Sequence, residues 1–101
     1  MNVEYFEHQI CDELKGAKDY IKRAIEIKPM NPSWASNLVE MSSAELKHAD
    51  SLYKMFNEYY DKLSAGYTNA PDYLVETRNR IIDTYMDESV KVKYLHELYA
   101  R

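Results

Sequence analysis

The sequence predicts an all-α fold, an antiparallel bundle of three long helices forming one domain over residues 1–101. Three observations lead there. Glycine and proline are scarce, two and three in 101 residues, which leaves few turn residues for an all-β chain. The breakers fall in only two places, Pro29-Met30-Asn31-Pro32-Ser33 and Ser64-Ala65-Gly66-Tyr67-Thr68-Asn69-Ala70-Pro71. The three stretches they delimit each carry apolar residues at three- and four-residue spacing, the period of a half-buried helix.

Helix 1 is expected over about 3–28, with the stripe Val3, Phe6, Ile10, Glu13, Ala17, Tyr20, Ala24, Ile27. It should stop at Lys28, because a residue before proline is pushed out of the α region. Helix 2 is expected over 32–64. Asn31 is its N-cap and Pro32 its first residue, where a missing N–H costs nothing. Its stripe reads Trp34, Leu38, Met41, Glu45, His48, Leu52, Met55, Tyr59, and Gly66 is placed to end it in the C′ position. Helix 3 is expected over 71–99, started by Pro71, with Leu74, Thr77 or Arg78, Ile81, Tyr85, Glu88, Val92, Leu95 and Tyr99 in line. Short loops between long amphipathic helices require neighbouring helices to pack antiparallel.

Composition excludes several classes. The formal net charge of −4, from 13 Lys+Arg against 17 Asp+Glu, argues against a nucleic-acid binder needing many phosphate contacts. A single cysteine, Cys11, rules out an internal disulfide or a CxxC motif. No apolar run approaches the ~18–20 residues of a membrane span, and MNVEYFEHQI is too polar for a secretion leader. The expected setting is the cytoplasm, with no membrane partner. Ten tyrosines suit helix faces where a ring packs and its hydroxyl stays wet.

The stripes contain ionisable residues where apolar ones belong: Glu13, Glu45, His48 and Glu88. A lone carboxylate is costly to desolvate, so such groups are paired or bind a metal. Counted from the loops at ~1.5 Å per residue, all four fall at one height of the bundle. Glu45-x-x-His48 sets a carboxylate and an imidazole one turn apart on one face, so both can hold one ion, and Glu13 from the adjoining helix can join them. Carboxylates with imidazole suit iron or manganese, and zinc less distinctively.

Glu13-x-x-x-Ala17-x-x-Tyr20 followed by Ala44-Glu45-Leu46-Lys47-His48-Ala49 resembles the first half of ferritin-like and rubrerythrin-like di-iron carboxylate proteins. The short encapsulated-ferritin type, a helical hairpin that pairs with a second subunit, is the most similar. The likeness spans about residues 3–60. It implies Glu13 as a carboxylate bridging two irons, Glu45 and His48 as iron ligands, and Tyr20 beside the site as a catalytic neighbour. It also implies oxidation of Fe(II), a ferroxidase-type reaction. One Glu-x-x-His supplies half the ligands of a di-iron site, so the bundle is expected to be completed by oligomerisation, as a homodimer or a larger homo-oligomer. Glu88 is a further candidate ligand from helix 3.

The alternative is a non-catalytic helical assembly module, such as a component of a phage or other particle, whose seam Glu and His residues form a buried polar network. Other residues read as ordinary surface. His8 lies off the stripe, His96 suits the negative end of the helix 3 dipole, and Lys15, Lys18 and Lys22 form a solvated ridge. Cys11 has no acid–base partner that would make it a catalytic thiol.

Overall fold

A computed structural model describes all residues 1–101 and contains three helices: α1 (Val3–Ile27), α2 (Pro32–Ser64) and α3 (Asp72–Ala100). Asn31 caps α2 as the sequence predicts, and Asn2 caps α1 in the same way. Asn2 accepts the Tyr5 N–H at 2.9 Å and Asn31 accepts the Trp34 N–H at 3.0 Å, each satisfying a backbone donor that has no partner inside its helix. α1 ends before Pro29, although Lys28 keeps α-region dihedrals (φ −49°, ψ −45°) and is not pushed out of them as expected. The Met30 and Asn31 N–H groups return to the Ile27 carbonyl at 2.9 and 2.8 Å.

One expectation about the second loop is corrected. No residue, glycine included, has positive φ, so Gly66 does not end α2 through a left-handed turn. The last turn closes instead by right-handed short-range bonds, Ala65 N–H to Asp61 at 3.2 Å and Gly66 N–H to Leu63 at 3.3 Å.

The helices form a slender bundle of 57 × 19 × 15 Å, its long axis set by the 33 residues of α2, about 50 Å at the α-helical rise. α1 is the central element and packs along both neighbours, while α2 and α3 touch sparsely. α1 and α2 are antiparallel. α1 and α3 run parallel, as the cross-links Glu7–Arg80, Lys18–Glu88 and Lys28–Tyr99 show by their nearly constant sequence offset.

The core has two parts. Val3, Phe6, Ile10, Leu14, Ala49, Phe56, Leu74 and Ile81 pack at the end near the α2–α3 loop, where the Phe6 and Phe56 rings lie 5.7 Å apart. Ile21, Ala24 and Ala35 pack at the opposite end.

On α2 the buried line differs from the predicted stripe by one residue throughout, about 100° around the helix, whereas on α1 and α3 most of the predicted positions are the buried ones. On α2 the buried residues are Ala35, Ser42, Ala49 and Phe56, a strict seven-residue repeat. On α1, Leu14 and Ile21 take the inner line, and Glu13 and Tyr20 stand at its half-buried margin. The predicted stripe placed Trp34, Met41 and Met55 inward, yet these are 66%, 44% and 45% exposed. The bundle instead turns its small residues inward, because Ala and Ser let α1 and α2 approach closely. The seven-residue period is that of left-handed supercoiled packing.

Candidate metal centre

The one-residue rotation of α2 moves Glu45 and His48 to the rim of the α1–α2 seam and brings them together there with Glu13. Glu13 of α1 and Glu45 and His48 of α2 each offer a ligand atom, and these atoms lie within 4.8 Å of one another. His48 Nδ1 is 3.5 Å from Glu13 Oε2. The Glu13 side chain is 23% exposed and that of His48 60% exposed, so the cluster is shielded on the α1 side and open on the other.

The two carboxylates of the cluster are poorly compensated. Glu13 Oε2 is buried and no hydrogen-bond donor reaches it. Such an orphaned acceptor is uncommon in a folded protein, because its desolvation is uncompensated. The Glu45 carboxyl is pushed above its usual range, chiefly by the pull of the neighbouring Glu13 carboxyl on a shared proton. Burial and the Glu13 charge act in the same direction, and His48 opposes them. Two carboxylates held this close need either a proton or a cation between them.

Gly16 is the residue that sequence reasoning missed. A Cβ placed on it would lie 3.2 Å from Glu45 Oε2 and 3.6 Å from Glu45 Cδ. The bare backbone of α1 therefore makes the space into which the Glu45 carboxylate fits. A mid-helix glycine costs about 1 kcal/mol relative to alanine, and its place one turn after Glu13 is the sequence signal that points to it.

The remaining candidates are placed differently. Glu88 does not join the cluster: Lys18 of α1 holds it at 3.0 Å and Lys91 at 3.4 Å. Lys18 lowers its carboxyl below the ordinary range, as an ion pair tying α1 to α3. Lys18 is thus part of that tie, partly buried, and not a member of a solvated ridge. Tyr20 is half-buried, two turns along α1 from Glu13. His96, expected at the surface, is half-buried with Nε2 2.9 Å from Ser42 Oγ. Burial raises the Cys11 thiol, first among several causes, which disfavours the reactive thiolate. No helix is long and apolar enough to cross a membrane.

The chain is thus a three-helix bundle carrying two carboxylates and an imidazole at one rim. Comparison with known protein families, with curated proteins and with solved structures finds no match to it.

Proposed function

We propose that Glu13, Glu45 and His48 hold a transition-metal ion, and that the protein is an iron-binding bundle oxidising Fe(II) at a site completed by a second copy of the chain. The observation that carries this reading is the buried Glu13 Oε2, which accepts no hydrogen bond and has only the His48 ring at 3.5 Å, beside Glu45. A cation supplies the missing partner and relieves the repulsion between the two carboxylates. The donor set suits iron and manganese, with zinc less distinctive. Cytoplasmic placement belongs to the same reading, since Fe(II) is kept available in a reducing compartment.

Iron as substrate supplies the redox chemistry, each Fe(II) yielding one electron to dioxygen or peroxide. The chain contributes position and charge. Glu13 and Glu45 favour the more highly charged ferric ion over the ferrous one, and His48 adds a neutral nitrogen donor. Gly16 keeps Glu45 pressed against α1. His48 lies at seven-residue spacing from Trp34, Met41 and Met55, so an exposed apolar line borders the open side of the cluster. An isologous dimer across this face would cover that line and bring a second Glu-x-x-His to the site.

The same apolar line favours the second reading, a helical assembly module in which the three residues fix register at an interface. Anaerobic titration with Fe(II), Mn(II) and Zn(II), combined with native mass measurement, separates the two. The metal reading expects saturable binding that is lost in Glu13→Gln and His48→Ala, and faster aerobic Fe(II) oxidation than in buffer. Absence of saturable binding by all three ions overturns it. Self-association that is metal-independent and abolished by Glu13→Gln supports the assembly module.

A further inference from the structure

A concavity lies on another side of α2, in the groove between α2 and α3. Ser43, Leu46, Lys47 and Asp50 line it from α2 at helical spacing, and Lys93 and His96 from α3, around a cavity of about 340 Å³. Only Leu46 in this lining is hydrophobic. Neither Lys47 nor Lys93 takes part in an ion pair. With Lys47 and Lys93 set against the single carboxylate of Asp50, the lining of this groove is net positive in a chain of net charge −4, which favours an anion.

The hydrogen bonds behind the groove define which anion. Ser42 is fully buried, and its single hydroxyl proton goes to the Ala17 carbonyl at 2.6 Å. Its 2.9 Å contact with His96 Nε2 must therefore be one in which the serine oxygen accepts. The His96 proton is fixed on Nε2, and in the neutral ring Nδ1 is a bare acceptor. Burial holds the ring toward that neutral form. Asp50, which accepts the Tyr85 hydroxyl proton, adds a second acceptor to the lining.

We propose that this groove binds hydrogen phosphate, with Lys47, Lys93 and Ser43 donating to its oxygens and His96 Nδ1 accepting its P–O–H proton. Donors alone would take any oxyanion. The acceptor excludes sulfate, which at neutral pH has no proton to give and would set a lone pair against a lone pair. Discrimination of this kind is strong because a mismatched polar group in a binding site remains unpaired.

The test uses the metal-free full chain at neutral pH and constant ionic strength, so that no metal–phosphate chemistry contributes and the result is independent of the metal reading. Sodium phosphate and sodium sulfate are titrated separately, read by backbone and histidine ring nitrogen chemical shifts. Phosphate should shift Ser43, Lys47, Lys93 and His96 saturably, and sulfate should bind about tenfold or more weakly. Lys47→Gln/Lys93→Gln, both at exposed positions, should weaken phosphate binding about tenfold or more with an unchanged thermal melt. Equal response to sulfate, no saturable shift with phosphate, or undiminished binding in the double variant each overturns the proposal.

Discussion

Replacing Gly16 by alanine separates the stability of the bundle from its capacity to hold a metal. The new Cβ would sit 3.2 Å from Glu45 Oε2, closer than ordinary van der Waals contact, and 3.7 Å from Glu45 Cγ. The atom it meets is the end of a flexible side chain, so Glu45 can withdraw by a few tenths of an ångström at little cost. Alanine in the middle of a helix gains up to about 1 kcal/mol over glycine, so the metal-free variant should be about 0.5–1 kcal/mol more stable. For a chain of this size that corresponds to about 2–8 °C in Tm. Metal–ligand distances tolerate only about ±0.2 Å, so the same withdrawal should weaken metal binding about 10–100-fold. Circular dichroism melts of the apo proteins and calorimetric titration with Mn(II) or Fe(II) read the two effects independently. A stabilised variant that binds metal as well as wild type would show that the position of Glu45 is irrelevant to binding. A destabilised apo variant would show that the carboxylate cannot yield, and that Gly16 serves packing alone.

Other expectations follow from the same geometry. Glu45→Gln should make the apo protein at neutral pH as stable as wild type or more so. Because Glu45 titrates above its ordinary value in the fold, ionising it costs stability, and the advantage of the variant should vanish as pH falls through that raised pKa. Urea melts across the acidic range check this sign. Glu88→Gln should cost about 0.5–1 kcal/mol at neutral pH and leave metal binding unchanged. The Glu88 pKa is lowered, so this contribution exists above the unfolded carboxylate value and is lost as pH falls through the folded one. Phe56→Ala, at a fully buried aromatic between α1 and α2, should cost about 3–5 kcal/mol by denaturant melts. Trp34→Ser together with Met41→Ser and Met55→Ser should leave the monomer folded and reduce self-association in light scattering, since all three side chains are exposed.

Much of the fold is legible in local chemistry. Asn2 and Asn31 cap helices because a short side chain can satisfy a backbone donor within its own turn, whatever the rest of the protein does. Pro29 and Pro32 delimit the first loop for equally local reasons. The association of Glu13 with Glu45 and His48 was also within reach, since two helices joined by a tight loop meet at heights fixed by counting residues.

Sequence alone therefore determined the number, limits and order of the helices, and a level shared by Glu13, Glu45, His48 and Glu88, of which the structure groups the first three. Tertiary structure decided their rotation. Inner positions went to Ala35, Ser42 and Ala49, because backbones approach closely only over small side chains, and the larger Trp34, Met41 and Met55 turned outward. That rotation placed the cluster at a rim and gave Glu88 to Lys18. It also set Gly16 against a carboxylate from another helix and buried Ser42 between Ala17 and His96. Each of these depends on contacts between residues far apart in the chain, set by how tightly two helix surfaces can pack, and helical periodicity carries no record of that distance.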